Sequence, residues 1–523
     1  MNKIKKDITS INNEEKDKLI LEEKQRGNSD FEIGKKYGVN YKYIEELVTK
    51  KRGVNLNHFH TKRVISNLAP KDFQIQKSTV WSFKQRGNWA THSGEYRGNW
   101  SPYIPRNIIL KYSKQGDLVL DYFCGAGTTV VEAKLLGRRC IALDINPHAV
   151  ELAKENCKFK IGQQHLPNFN DQLKEVYEPV ISTGDARSLS NIKDNSIDLI
   201  CAHPPYANII QYTDNKKDDL SFLDIDDFLK EMEKVAQESF RVLKPDHQCA
   251  ILIGDTRRKK HIIPLGFKLI DVFLRAGFRL RELIIKRQHN CKTTGFWYTN
   301  SIKYNFLLLA HEYLPIFEKP KSSALRVEER GLDYGLIFST LGRPPQKRKL
   351  DGLETTTMWV LPKTDFEKHL NKNVIDRYSN GNGYLTIFLN SQTKHETREI
   401  AKKEQKNRKL LFIKSPSLND NSKSNIKLYL QKIKEIIDRE VDTINNNGFI
   451  AIQTQDIRVD EYIEPLAKKI IDMFTQDNLQ LKEIIMVTEE REKGVNFDNQ
   501  NLKDHLKITH QYILVYKVIK GEK

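Results

Sequence analysis

Two strings in this 523-residue chain combine residue types that do chemistry rather than packing. In DYFCGAGTTVVEAKLLGRRCIALDIN, residues 121–146, the apolar run Leu118–Leu120 ends in Asp121, and Phe123 leads into a tight turn at Gly125 and Gly127. Thr128 and Thr129 then open an apolar helix, and a second apolar run, Cys140–Leu143, ends in Asp144. Glycines in such a strand–turn–helix let backbone approach a ligand, and an acid at the tip of the second strand can accept both hydroxyls of a ribose. A dinucleotide fingerprint would read GxGxxG; Thr128, Thr129 and Val130 follow Gly127 instead, which favours a nucleoside without a pyrophosphate. In the second string, IDLICAHPPYANIIQYT, an apolar strand runs into His203, Pro204, Pro205 and Tyr206. Prolines do not donate to a strand ladder, so this is a rigid bend at the strand's carboxyl end, the edge where open α/β sheets bind ligands.

Holding two such bends side by side requires a parallel sheet with helices between its strands. Alternating apolar strands and amphipathic helices predict an α/β, doubly wound, Rossmann-like fold. IPRNIILKYS reads as a helix with Pro105 in its first turn. Val180–Ser182 reads as a short strand leading to Asp185 in GDARSL, and DDLSFLDIDDFLKEMEKVAQESFRVLKP as an acidic loop followed by an amphipathic helix. LRELIIKRQHN and YNFLLLAHEYL read as a closing antiparallel pair. His92, Tyr96, Trp100 and Tyr103 could approach a ligand or anchor a loop, and Asp219, Leu220 and Ser221 could line a pocket. Residues 288–304 read as a basic, aromatic loop with Lys292, Trp297, Tyr298 and Lys303 as candidate DNA contacts.

Asp121, Phe123, Gly125, Gly127, Thr128 and Thr129 match the DxFxGxGTT pattern of S-adenosylmethionine-dependent amino-group DNA methyltransferases, which the string resembles. His203-Pro204-Pro205-Tyr206 resembles that family's catalytic loop, with His203 in place of the usual Asp, Asn or Ser. The resemblance covers residues 65–320 and implies a Rossmann-like methyltransferase sheet with S-adenosylmethionine as cofactor. It gives cofactor-binding roles to Asp144 at the ribose, Asp185 at the adenine, and the Pro105 helix at the methionine end. It also implies methyl transfer to the exocyclic amine of a base extruded from double-stranded DNA, N6 of adenine favoured over N4 of cytosine, in a restriction-modification or defence system with a restriction subunit as a partner. The amine's lone pair is delocalised into the ring, so acceptors at His203 and the Pro204 carbonyl would hold its hydrogens while Tyr206 stacks on the base. A neutral imidazole can serve as such an acceptor. No Pro-Cys dipeptide, the nucleophile signature of cytosine-C5 enzymes, occurs.

Lys and Arg number 86 against 68 Asp and Glu, a formal net charge of +18, which points to a polyanionic partner. The 6 cysteines form no CxxC pair, and reduced packing thiols rather than a zinc or disulfide framework are expected. No apolar run of about 18 residues occurs and the amino terminus has no apolar signal core, so a cytoplasmic protein without a membrane segment is expected.

Four regions are predicted. Residues 1–64 resemble a helix-turn-helix, with Phe31, Ile33, Val39, Ile44 and Leu47 apolar and Tyr41–Lys50 as its recognition helix. Residues 65–320 form the catalytic domain, and 321–400 a linker or specificity region. Residues 401–523 echo the catalytic domain: KLLFIKSPS parallels IDLICAHPPY, NNGFIAIQTQD parallels HQCAILIGD, and ITHQYILVYKV parallels IKYNFLLLAHE. With no glycine turn before it and Ser417 where the aromatic stood, this echo is expected to be a degenerate, inactive methyltransferase-like lobe. Two other functions stay open, an RNA base methyltransferase and a non-catalytic DNA-binding regulator.

Overall fold

The computed structural model describes residues 69–161, 175–206, 219–289, 293–321, 353–389, 396–400, 407–415, 422–474, 478–490 and 505–520, isolated positions excepted, and much of 13–47. In chain order the elements are α1 (Asn13–Gln25), α2 (Asp30–Tyr37), β1 (Val80–Ser82), α3 (Tyr103–Tyr112), β2 (Leu118–Asp121), α4 (Thr128–Leu135), β3 (Arg139–Asp144), α5 (Pro147–Cys157), β4 (Val180–Thr183) and β5 (Ile197–Ala202). There follow α6 (Ile225–Val242), β6 (Leu243–Ile251), β7 (Thr256–Arg258), β8 (His261–Ile263), α7 (Leu265–Arg275), β9 (Arg279–Arg287), α8 (Thr293–Tyr304) and β10 (His311–Glu318). The carboxyl-terminal part holds β11 (Met358–Leu361), α9 (Phe366–Ser379), β12 (Tyr384–Leu389), β13 (Glu396–Ile400), β14 (Arg408–Lys414), α10 (Lys423–Glu440) and β15 (Ile444–Thr454). It ends with β16 (Ile457–Val459), β17 (Tyr462–Glu464), α11 (Leu466–Met473), β18 (Leu479–Glu489) and β19 (His510–Val518).

The chain divides into two compact units, one of residues 1–75, 83–251 and 289–299, the other of residues 76–82, 252–288 and 300–523. In the first unit the strand order is β6-β5-β2-β3-β4, with every pairing parallel. That is the doubly wound α/β arrangement expected, with β2 and β5, which carry the two chemical strings, adjacent at its centre. β5 is buried at all six positions, which is why its sequence from Leu199 to Ala202 is continuously apolar rather than alternating. Asp224 caps α6 through the amides of Asp226 and Asp227, and Phe228, Met232, Val235, Ser239 and Val242 bury one helical face. Burying each large apolar side chain there contributes about 1.5–3 kcal/mol.

At the amino terminus, Ile20, Ile33, Tyr37, Ile44 and Leu47 form a small core of their own. Gly34 sits there because an added Cβ would lie 2.9 Å from the Val39 carbonyl, so it permits a close crossing rather than weakening the hairpin. Most of the expected recognition helix, residues 41–50, lies outside the described residues.

The second unit contains strands β1-β9-β10 and a sheet ordered β11-β18-β19-β15-β14-β12-β13. Two expectations change. Residues 358–389, within the stretch expected as a linker or specificity region, supply β11 and β12 to this sheet and helix α9 beside it; Trp359 and Leu370 are fully buried, but short apolar clusters among charged residues hid them. Residues 293–304, expected as a loop, form helix α8, with no strong apolar face to announce it. Residues 76–82, 252–288 and 300–320 also group with the carboxyl-terminal half rather than with the rest of 65–320.

That grouping has a cause: the second unit repeats itself about an approximate two-fold. Trp81 Nε1 donates to the Ser78 carbonyl (2.9 Å) and Trp359 Nε1 to the Thr356 carbonyl (2.8 Å). Asp255 accepts from the Gly266 amide and the Tyr313 hydroxyl, and Asp456 from the Ala467 amide and the Tyr512 hydroxyl. His311 Nδ1 meets Thr357 Oγ1 and His510 Nδ1 meets Thr79 Oγ1, both at 2.8 Å, so each histidine reaches the threonine of the other half. Arg257 pairs with Glu483 and Arg458 with Glu282, each at 2.5 Å, and the two glutamates accept the amides of Leu307 and Leu506. Reciprocal contacts of this kind are what an isologous interface produces. The echo therefore folds as expected through β14, β15, α11, β18 and β19. Where β2 leads into a glycine turn and helix, β12 instead pairs antiparallel with β13.

Candidate functional site

A crevice in the first unit opens above the carboxyl ends of β2, β3, β4 and β5. Its walls include Phe123 and Gly125 from the glycine turn, Asp144 and Ile145 after β3, Asp185 after β4, and His203 and Pro205 after β5. The two bends picked out in the sequence thus border a single cavity. Tyr96, Asn99 and Trp100 close it from the preceding segment, and Asp219 and Leu220 from the following one.

Gly127 caps α4 in the left-handed region, φ 83°, and a Cβ there would stand 3.0 Å from Ala153 Cβ and 3.2 Å from its Cα. Only glycine satisfies both limits. Asp144 anchors the turn: its Oδ2 accepts from the Gly125 amide at 2.8 Å and its Oδ1 from the Asn146 amide at 2.9 Å. Asp121 is buried, accepts from the Phe123 amide at 3.0 Å, and is pushed by burial up to about 7. Thr128 Oγ1 donates to Asn99 Oδ1 at 2.6 Å, tying the helix start to the overlying segment, and Thr129 is fully buried. Asp185 is held by Arg187, whose Nε lies 3.0 Å from both carboxylate oxygens and whose Nη1 reaches Glu231 at 2.7 Å. Pro105 lies buried in the first turn of α3 and is not part of the crevice wall.

His203 is fixed on two sides. Its ring stacks on Trp100, centroids 5.4 Å apart and 18° from parallel, and its Nε2 lies 2.8 Å from the Tyr206 hydroxyl. Pro204 and Tyr206 adjoin the crevice without entering its lining. Cys124 and Cys201 are buried, and burial pushes both thiols far above their ordinary range, as suits packing rather than nucleophilic residues.

Glu132 was not anticipated. It is fully buried one turn into α4 and accepts from Trp89 Nε1 (2.7 Å) and Arg106 Nη1 (2.9 Å), with His92 Nε2 at 2.7 Å. Burial alone would raise its carboxyl, but Arg106, then His92 and Trp89, hold it below the ordinary value. This hub fastens the segment bearing Asn99 and Trp100 over the glycine turn. The available signal was a glutamate within a largely apolar stretch, VVEAKLL. Of the candidate DNA contacts, Lys292 and the side chain of Trp297 lie outside the description; Tyr298 and Lys303 are exposed. Among the described residues no cluster of metal-ligating side chains occurs, and no helix is long and apolar enough to cross a membrane.

Residues 3–155 and 197–413, more than half of the chain, match the DNA methylase family, and residues 113–264 match a methyltransferase domain. The chain is similar to the type II methyltransferase M.MthZI of Methanothermobacter thermautotrophicus, 29% identical over 28% of this chain and 46% of that one. It is also similar to the tRNA (guanine(10)-N2)-dimethyltransferase of the same species, 34% identical over 21% of this chain and 29% of that one. Among solved structures, a SAM-dependent methyltransferase of Methanosarcina mazei aligns at 19% identity and TM-score 0.27, covering 41% of this chain and 97% of that one. The chain thus spans less than half the length of these two curated relatives. A glycine turn, an acid at the tip of the second strand and a double-proline bend around one crevice agree with the extent of the family match: the chain belongs to the DNA methylase family, whose methyl donor is S-adenosylmethionine.

Proposed function

We propose that this protein transfers a methyl group to an exocyclic amine of a base extruded from double-stranded DNA, N6 of adenine in preference to N4 of cytosine. The setting we infer is a cytoplasmic restriction-modification or defence system with a restriction subunit. The observation that carries this reading is that Gly125 and Asp144 share one crevice with His203 and Pro205.

The residues present suit the donor. The left-handed turn at Gly127 brings backbone close, the Asp144 carboxylate at the crevice suits a ribose, and Asp185 with Phe123 borders the place for an adenine. When bound, S-adenosylmethionine supplies an electrophilic methyl group. The chain's own task is to present a poor nucleophile. His203 and the Pro204 carbonyl accept the amine hydrogens, which turns the nitrogen lone pair toward the crevice, and Tyr206 stacks on the extruded ring. Trp100 keeps the imidazole plane fixed. Where the Tyr206 hydroxyl accepts from Nε2–H, Nδ1 is the acceptor nitrogen for the substrate. Pre-set acceptors of this kind cost no reorganisation as the amine develops charge.

Incubation with methyl-labelled S-adenosylmethionine and either duplex DNA or tRNA, followed by nucleoside mass analysis, tests the reading. N6-methyladenine in DNA is expected. Label in tRNA alone would establish the RNA reading that the tRNA dimethyltransferase relative suggests, and DNA binding without transfer would establish a regulator.

A further inference from the structure

The internal two-fold of the second unit offers a built-in comparison, because the same structural positions occur twice with different charge. Strand register fixes the equivalences: Arg279 pairs with Glu318 in β9–β10 where Gln480 pairs with Lys517 in β18–β19, and His261 in β8 stands where Tyr462 stands in β17. At the end of the seam built from β17, β9 and β10 the charges cancel. Glu318 accepts from the Tyr462 hydroxyl at 2.7 Å and pairs with Arg281 at 2.6 Å, while Arg279 lies 5.0 Å from the Tyr462 ring. With Glu461, these positions hold two cations, Arg279 and Arg281, and two anions.

At the other end, built from β8, β18 and β19, the equivalents of Glu461, Tyr462, Arg279, Arg281 and Glu318 are Lys260, His261, Gln480, Lys482 and Lys517. At these five positions both acids have become lysines, so three cations stand where two cations and two anions stood. Lys260 is exposed and sits 3.7 Å from the ring centroid of exposed Tyr304, which Lys303 also faces at 5.3 Å. His261 and Lys517 are half-buried beside it. The cluster works against the fold: burial and then Lys482 and Lys517 push His261 down to about 4, and burial and then Lys260 lower Lys517. The opposite end shows that a neutral, hydrogen-bonded solution fits the same backbone.

We propose that this end of the seam, centred on Lys260, His261 and Lys517, docks the phosphate backbone of duplex DNA, with Tyr304 as a flanking aromatic. The proposal rests on the DNA reading above and adds a binding surface to it. Phosphates satisfy concentrated lysines that the fold itself leaves without an acid at the equivalent places, and each such contact releases condensed counterions.

The test installs the acids of the neutral end: Lys260→Glu with Lys517→Glu, in the full chain. Duplex affinity should fall roughly ten- to thirty-fold at about 0.15 M salt, and the slope of log K against log salt should flatten by up to about two. KM for DNA should rise with kcat and S-adenosylmethionine affinity unchanged, and the thermal transition should not fall, since like charges are removed. A control with the same charge change, Lys427→Glu with Lys434→Glu on exposed positions of α10, should leave the salt slope alone. Equal losses in both variants, or an unchanged slope, would overturn the proposal. A wild-type protein that binds DNA through this surface but methylates no DNA would refute the catalytic reading and leave the surface standing.

Discussion

Replacing Glu132 by glutamine changes one oxygen to an amide in a site with no solvent. The glutamine oxygen can still accept from Trp89 and His92, but its amide nitrogen then points at the Arg106 guanidinium, donor against donor. Arg106 is 1% exposed and its Nε already lacks a partner, so its charge is left buried without compensation. Removing one member of a buried pair costs about 3–5 kcal/mol. If denaturant unfolding of the full chain shows more than one transition, that of the first unit is the one S-adenosylmethionine raises. Glu132→Gln should lower it by about 3 kcal/mol or more and weaken cofactor affinity, because Asn99 and Trp100 lose their anchor. Adding Arg106→Met should recover part of the loss, since the uncompensated cation is gone. A single-variant cost below about 1 kcal/mol, or a double variant as unstable as the sum of the two, would refute the reasoning.

Three further outcomes follow from the same geometry. Burial raises Asp121 from 3.8 to about 7, so the folded state keeps a proton that the unfolded chain releases. That stabilisation is whole below pH about 3.8 and is lost as pH rises through about 7; Asp121→Asn should therefore narrow the difference in denaturation midpoint between pH 5 and pH 8. Gly127→Ala should cost about 1–2 kcal/mol from left-handed strain alone, and adding Ala153→Gly should relieve the steric share but not the strain, read from the same midpoints. His203→Ala should lower kcat roughly a hundredfold or more while leaving S-adenosylmethionine affinity within about twofold, checked by single-turnover transfer and calorimetry.

What was readable in the sequence was local. The turn at 125–127 and the bend at 203–206 depend on residues adjacent in the chain, where proline fixes the backbone and glycine permits turns other residues resist. The echo of 409–518 was readable because segment lengths and apolar runs repeat. Glu132 was not, because its meaning depends on Trp89, His92 and Arg106, which lie 26–43 positions away. The recruitment of β11 and α9 was hidden for the same reason: Trp359 and Leu370 are core residues only once the sheet exists. The seam of reciprocal Arg–Glu and His–Thr contacts escaped entirely, since single polar residues have no periodicity to betray them.

Equilibrium binding of S-adenosylmethionine to the full chain and to Asp144→Asn tests the central claim most directly. One molecule per chain is expected, because the first unit supplies a glycine-turn crevice, whereas β12, at the place equivalent to β2, pairs antiparallel with β13. The Asp144→Asn affinity should fall roughly tenfold or more with the loss of a charged acceptor. Two molecules per chain, or an affinity indifferent to Asp144, would contradict it.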